Sequence, residues 1–122
     1  MNTKNVSIYI PAYNAEKTIK HSLESIKNQT YQFDEIIVIN DNSTDFTMNV
    51  VKEFSDVNII NNSSNKGLGY NRNMGIKSSS HHIVASIDAD VVLEKNWLEI
   101  MIKNFEQHLT IICGGKMIEE LT

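Results

Sequence analysis

The strongest constraint on this chain is an alternation of short apolar runs with segments of helical spacing. "VSIYI" (6–10) precedes "TIKHSLESIKNQ" (18–29), which carries Ile19, Leu23 and Ile26 at helical intervals. "EIIVIN" (35–40) precedes "DFTMNVVKEF" (45–54), where Phe46, Val50 and Phe54 share one face. "VNII" (57–60) precedes "GLGYNRNMGIKSS" (67–79). "HIVASI" (82–87) precedes "EKNWLEIMIKNFEQ" (94–107), with Trp97, Met101 and Phe105 in one row. "TIICG" (110–114) reads as a fifth strand. Strands alternating with helices of this length predict βαβ units, hence an α/β fold with a mostly parallel sheet. "EIIVIN" is apolar almost throughout, as in a strand buried on both faces. Pro11 is expected to stop the first strand.

Bulk properties narrow the function. A chain of 122 residues makes one domain, spanning 1–122. Eleven basic and fifteen acidic residues give a net charge of −4, with no basic block, so no nucleic-acid partner is expected. The single cysteine, Cys113, allows no internal disulfide and fits a reducing compartment. The first apolar run breaks at Pro11, too early for a signal peptide. No stretch approaches the roughly 20 apolar residues of a membrane helix. The expected location is the cytoplasm, with any membrane association made through parts outside these residues.

In a parallel α/β sheet, ligands bind beyond the carboxyl ends of the strands. The segments there are "PAYN", "DNSTD", "NNSSNKG" and "DADV". In an extended segment Asp88 and Asp90 would point to one side and offer hard oxygen ligands to Mg²⁺ or Mn²⁺. Alone, the pair serves equally as a strand end and a helix cap. Asp41 could accept a hydrogen bond from a base or ribose, or belong to an Asx-turn in which Ser43 or Asp45 caps the next helix. Within "PAYN", Pro11 leads the turn, Tyr13 offers an aromatic face to a base, and Asn14 reads as a helix cap. "NKGLGYNRN" is not the dinucleotide fingerprint, because Arg72 stands where its third glycine should be. Arg72 could meet a diphosphate on the ligand edge, or be a solvated arginine. His81 and His82 fall at the opposite edge and read as structural. The sequence holds neither a Cys/His metal cluster nor a Ser-His-Asp set.

Four segments in order resemble the inverting family 2 glycosyltransferases of the GT-A fold. "VSIYIPAYNAEKTIKHSLESIKNQTY" is similar to that family's opening strand, P-x-Y-N turn and first helix. "DEIIVINDNSTDFT" resembles its E-I-I-V-V-D-D-G-S-x-D segment, with Asn40 and Asn42 as departures. "NKGLGYNRNMGI" resembles N-x-G-x-x-x-A-R-N-x-G, and "IVASIDADVVLEKNWL" resembles its strand and D-x-D motif. The resemblance implies a Rossmann-like, three-layer αβα GT-A fold with a mostly parallel sheet, truncated here. It implies a nucleotide-sugar donor, a UDP-sugar being favoured, and Mn²⁺ or Mg²⁺ as cofactor. By position, Pro11, Tyr13 and Asn14 would line the nucleoside pocket and Asp41 would bond the base. Arg72 would lie near the nucleotide and its phosphates, Asp88 near the ribose or a metal-bound water, and Asp90 would ligate the metal. The catalytic base and the acceptor-binding half are expected beyond residue 122, so no catalytic residue is assigned. The acceptor is left open among glycan, lipid and protein. An unpaired sheet edge would favour a homo-oligomer.

Two rivals fail on placement. A receiver domain needs an acidic pair after the first strand, where this chain has "PAYN". A haloacid-dehalogenase-type phosphatase needs its D-x-D strand first, with much chain following. The remaining alternative is a nucleotide-sugar-binding module with no transferase activity of its own.

Overall fold

A computed structural model describes residues 4–105, 110–113 and 116–120. The elements run β1 (Val6–Ala12), α1 (Ile19–Lys27), β2 (Glu35–Asn40), α2 (Thr47–Val51), β3 (Val57–Asn61), α3 (Leu68–Ser78), β4 (Ile83–Ser86), α4 (Trp97–Phe105), β5 (Thr110–Cys113) and β6 (Lys116–Glu120). They form one sheet in the order β3-β2-β1-β4-β6-β5. The first four strands are mutually parallel, as the alternation predicts. β6 then pairs antiparallel with β4, and β5 with β6. The anticipated fifth strand therefore does not extend the parallel set. It returns through β6, which the sequence reading did not anticipate. Only Gly114 and Gly115 separate the two strands, and a two-glycine link is a hairpin signal that could have found it.

The alternation of side chains sorts the core onto two faces. Val6, Ile8 and Ile10 of β1 join Ile36 and Val38 of β2 against Ile19, Leu23 and Ile26 of α1 and Leu98, Met101 and Phe105 of α4. Tyr9, Ile37, Ile39 and Val84 face the other way, toward Met74 and Ile76 of α3. With α1, α2 and α4 on one side and α3 on the other, the layers are αβα. Helices change face where the strand order reverses, as right-handed crossovers require. That reversal lies between β1 and β4.

Two expectations are corrected. Pro11 does not stop β1, which runs on to Ala12 opposite Asn40. Ala12 accepts a bond from the Asp41 N–H, so the alternation of a parallel strand turns Pro11 toward the β4 side. Pairing on that side ends at Tyr9 opposite Ser86, so no partner is waiting for the N–H that proline lacks. Phe46 is not on a core face. α2 is a single short helix beginning at Thr47, Phe46 is 66% exposed, and Val51 is the apolar residue it buries.

Candidate functional site

β1 pairs with β4 only as far as Tyr9, while it pairs with β2 as far as Ala12. The two strands therefore part at their carboxyl ends, at the topological switch point. A cleft opens there, lined by Tyr9, Pro11, Leu68, Arg72, Ser86, Ile87 and Asp88. This is where open α/β sheets hold ligands. A second cleft adjoins it across Pro11 and is lined by Tyr13, Asn14, Ala15, Thr18, Ala89 and Asp90.

The two carboxylates of "IDADV" thus part company. The segment after Ile87 is a turn, not an extended strand, and the Val91 N–H donates to the Asp88 carbonyl at 3.1 Å. Asp88 lines the first cleft and Asp90 the second, and both are exposed. The turn itself is held from below. Ser22 of α1 is fully buried, and its hydroxyl lies 2.9 Å from the Ala89 carbonyl and 2.6 Å from that of Val91, on either side of Asp90. Farther along, Ser25 Oγ accepts the Leu93 N–H, and Gln29 bonds the Glu94 carbonyl and the Leu98 N–H. One polar row, Ser22 and Ser25 on α1 and Gln29 just past its end, therefore fixes the backbone from 89 to 98. Sequence reading missed this row. Its spacing of i, i+3 and i+7 beside an apolar stripe looks like a solvated face.

Asp41 is 7% exposed and lines neither cleft. Its Oδ1 accepts from Asn62 Nδ2 at 3.0 Å and from the Lys66 N–H at 2.7 Å, and its Oδ2 from the Gly67 N–H at 3.2 Å. Asn71 donates as well. Burial pushes the carboxyl pKa up, but these hydrogen bonds outweigh burial and hold it at about 2. Asn65 bonds the Asp41 main-chain carbonyl at 2.9 Å. Gly67 adopts φ +86°, open to glycine, as the chain turns from this anchor into α3. Asp41 thus ties β2 to the start of the helix that carries Arg72.

Asn14 is not a helix cap, since α1 begins after Thr18. It takes a left-handed conformation, φ +48°, which asparagine tolerates. Its Oδ1 accepts the Thr44 N–H at 2.8 Å and its N–H donates to Ser43 Oγ at 3.0 Å. It locks the loop after β1 to the loop after β2. Asp45 completes that lock by accepting the Thr47 and Glu16 N–H groups. Tyr13 is 51% exposed at the second cleft and Arg72 is exposed at the first. The sequence-derived residues thus fall into three places: Pro11, Arg72 and Asp88 at one cleft, Tyr13, Asn14 and Asp90 at the next, and Asp41 beneath α3. Among the described residues no three His, Cys, Asp or Glu side chains gather to hold a metal, and no helix is long and apolar enough to cross a membrane.

Comparison with known proteins follows the same line. The family model for glycosyl transferase family 2 matches residues 7–120. An uncharacterized glycosyltransferase of Haemophilus influenzae is 38% identical over 122 residues, covering 97% of this chain and 38% of that protein. The Escherichia coli UDP-Glc:alpha-D-GlcNAc-diphosphoundecaprenol beta-1,3-glucosyltransferase WfgD is 40% identical over 99 residues, covering 80% of this chain and 39% of WfgD. The crystal structure of Staphylococcus aureus TarS 1–349 in complex with UDP-GlcNAc superposes with a TM-score of 0.79 at 27% identity, over 87% of this chain and 32% of that one. The chain spans well under half the length of each.

Proposed function

This chain belongs to glycosyl transferase family 2 and has its GT-A architecture, and from that premise we propose that it binds a nucleoside-diphosphate sugar, a UDP-sugar, as donor for inverting transfer. One observation carries the reading. The cleft at the switch point is lined by both an arginine, Arg72, and a carboxylate, Asp88, and a second carboxylate, Asp90, lines the adjoining cleft. The names of WfgD and of the TarS complex support UDP as the nucleotide.

In this reading Arg72 neutralises the diphosphate, which a guanidinium matches with paired donors. Asp88 accepts from the ribose hydroxyls. Tyr13 and Pro11 flank the base, and Asn14 keeps their loop in place. Asp41 serves the base side as the anchor of the residues around it. Asp90 is the candidate ligand for Mn²⁺ or Mg²⁺. It fits, being an exposed carboxylate on a backbone that Ser22 holds, and Mg²⁺-type sites use one or two carboxylates, with waters and substrate phosphates supplying the rest. When bound, such an ion stabilises negative charge on the departing diphosphate.

No residue of this chain is assigned as the base that activates the acceptor. A positioned base contributes about 10²- to 10⁴-fold. Sugar transfer is therefore proposed for the whole protein, to a glycan, lipid or protein acceptor in polysaccharide assembly. These 122 residues alone are expected to hold donor without transferring it at an enzymatic rate.

The test is a thermal-shift panel of UDP, GDP and TDP, each with Mn²⁺ or with chelator. Ligand at ten times its dissociation constant adds about 1.4 kcal/mol. In a domain of this size that raises Tm by roughly 3–8 °C. A folded sample that no nucleoside diphosphate shifts at millimolar concentration overturns the reading.

A further inference from the structure

The two fully buried residues of α3 are Asn71 and Gly75. Four residues apart, they lie on one face. Gly75 sits against the Tyr9 ring, and Met74 and Ile76 pack half-buried beside it. Asn71 makes the polar half of this seat. Its Oδ1 accepts from Asn62 Nδ2 at 2.7 Å, and its amide donates to the Asp41 carboxylate. The same carboxylate takes the N–H groups of Lys66 and Gly67, just before the helix starts. A side chain 3% exposed must keep such partners, because an unpartnered buried amide is costly. Few rotations of α3 about its axis satisfy Asn71 and also keep Gly75 on Tyr9.

The next residue along is Arg72, which lines the switch-point cleft. Successive helical side chains are turned by about 100° from one another. Pinning Asn71 to the sheet therefore fixes the direction in which Arg72 leaves the helix. The family segment that this stretch resembles has alanine at the Asn71 position, so the contact is a feature of this chain rather than of the motif.

We propose that Asn71 is a positioning residue, latching α3 to Asp41 and Asn62 and so setting the Arg72 guanidinium at the cleft, an assignment that rests on the donor-binding reading above. Asn71 itself touches no substrate. Its effect on binding passes through Arg72, and the latch restrains the helix whether or not a nucleotide is present.

The experiment combines a double-mutant cycle with hydrogen exchange. UDP is titrated with Mn²⁺ into the wild-type chain, Asn71→Ala, Arg72→Ala and the double variant, each first checked for folding by circular dichroism. Asn71→Ala is expected to weaken UDP by about tenfold, and to weaken it no further once Arg72 is gone. Losses that add in the double variant would mean a general structural role and overturn the proposal. Without nucleotide, α3 amides should exchange about tenfold faster in Asn71→Ala while those of α1 keep their rates. Unchanged α3 exchange also overturns the latch, even where the wild type binds no UDP. Failure of the wild type to bind UDP instead counts against the donor reading.

Discussion

The ring of Tyr9 fills the space that a side chain at Gly75 would need. A Cβ there would stand 2.3 Å from Tyr9 Cγ and 2.4 Å from Cδ2. The obstruction is the base of a ring held in the core, not the end of a flexible chain, so α3 would have to lift. Gly75→Ala should destabilise the fold by about 1–3 kcal/mol, as overpacking does elsewhere. Urea unfolding measures this. Wild-type stability in the variant would show that the helix rides easily on the ring.

The two aspartates of "IDADV" should separate by chemistry. Asp90→Asn keeps size but removes the charge a hard cation prefers. It should abolish the Mn²⁺ dependence of UDP binding and leave the fold intact, because the residue is exposed and packs little. Asp88→Asn should weaken UDP with and without metal, by roughly tenfold for a lost charge-assisted hydrogen bond. Calorimetric titration with Mn²⁺ and with chelator separates them. Unchanged metal dependence in Asp90→Asn would reduce that residue to part of a turn.

Ser22→Ala removes a buried hydroxyl that lies between the carbonyls of Ala89 and Val91. Removing a fully buried hydroxyl and leaving half-buried carbonyls without their donor should cost about 1–3 kcal/mol. The turn carrying Asp90 loses its tether, so Mn²⁺ should enhance UDP binding less than in the wild type. Chemical denaturation and metal-dependent titration together test this. A variant as stable and as metal-responsive as the wild type would sink the idea.

The Asp41 carboxyl, held at about 2 when folded, titrates near 3.9 in an unfolded chain. A depressed folded value means the native state prefers the ionised form. The stabilisation is complete above about pH 4 and is lost as pH falls toward 2. Asp41→Asn should be less stable than the wild type by on the order of 2 kcal/mol at pH 7. The gap between the two should close as the pH approaches 2. Urea midpoints taken from pH 7 down to pH 2 report it. A gap independent of pH would mean that the charge of Asp41 is not what matters.

What could be read beforehand follows from how each element is buried. β1, β2 and β4 are continuous apolar runs, and α1 and α4 carry apolar stripes, so periodicity found them. α3 carries no apolar stripe, because its inward residues are an asparagine and a glycine. Asn14 reads as a cap in the sequence because asparagine suits both a helix start and a left-handed turn, and only the bond to Thr44 decides between them. Asp41 follows β2 as its sequence position predicts, yet its partners Asn62, Lys66, Gly67 and Asn71 lie 21 to 30 residues away and no local signal announces them. The divergence of Asp88 from Asp90 came from a turn where an extended strand was expected.

β1 sits in the middle of the sheet although it comes first in the chain, between β2 and β4. Val6 pairs with Ile83, 77 residues later (83 − 6). During synthesis β1 thus emerges well before β4, one of the two strands that flank it. At a ribosomal pace of about 5–20 residues per second, one flank of β1 stays open for roughly 4–15 seconds. An open apolar edge invites pairing with other nascent chains. Misassembly during synthesis is then a hazard of this strand order that the finished sheet, with β1 covered on both flanks, no longer shows.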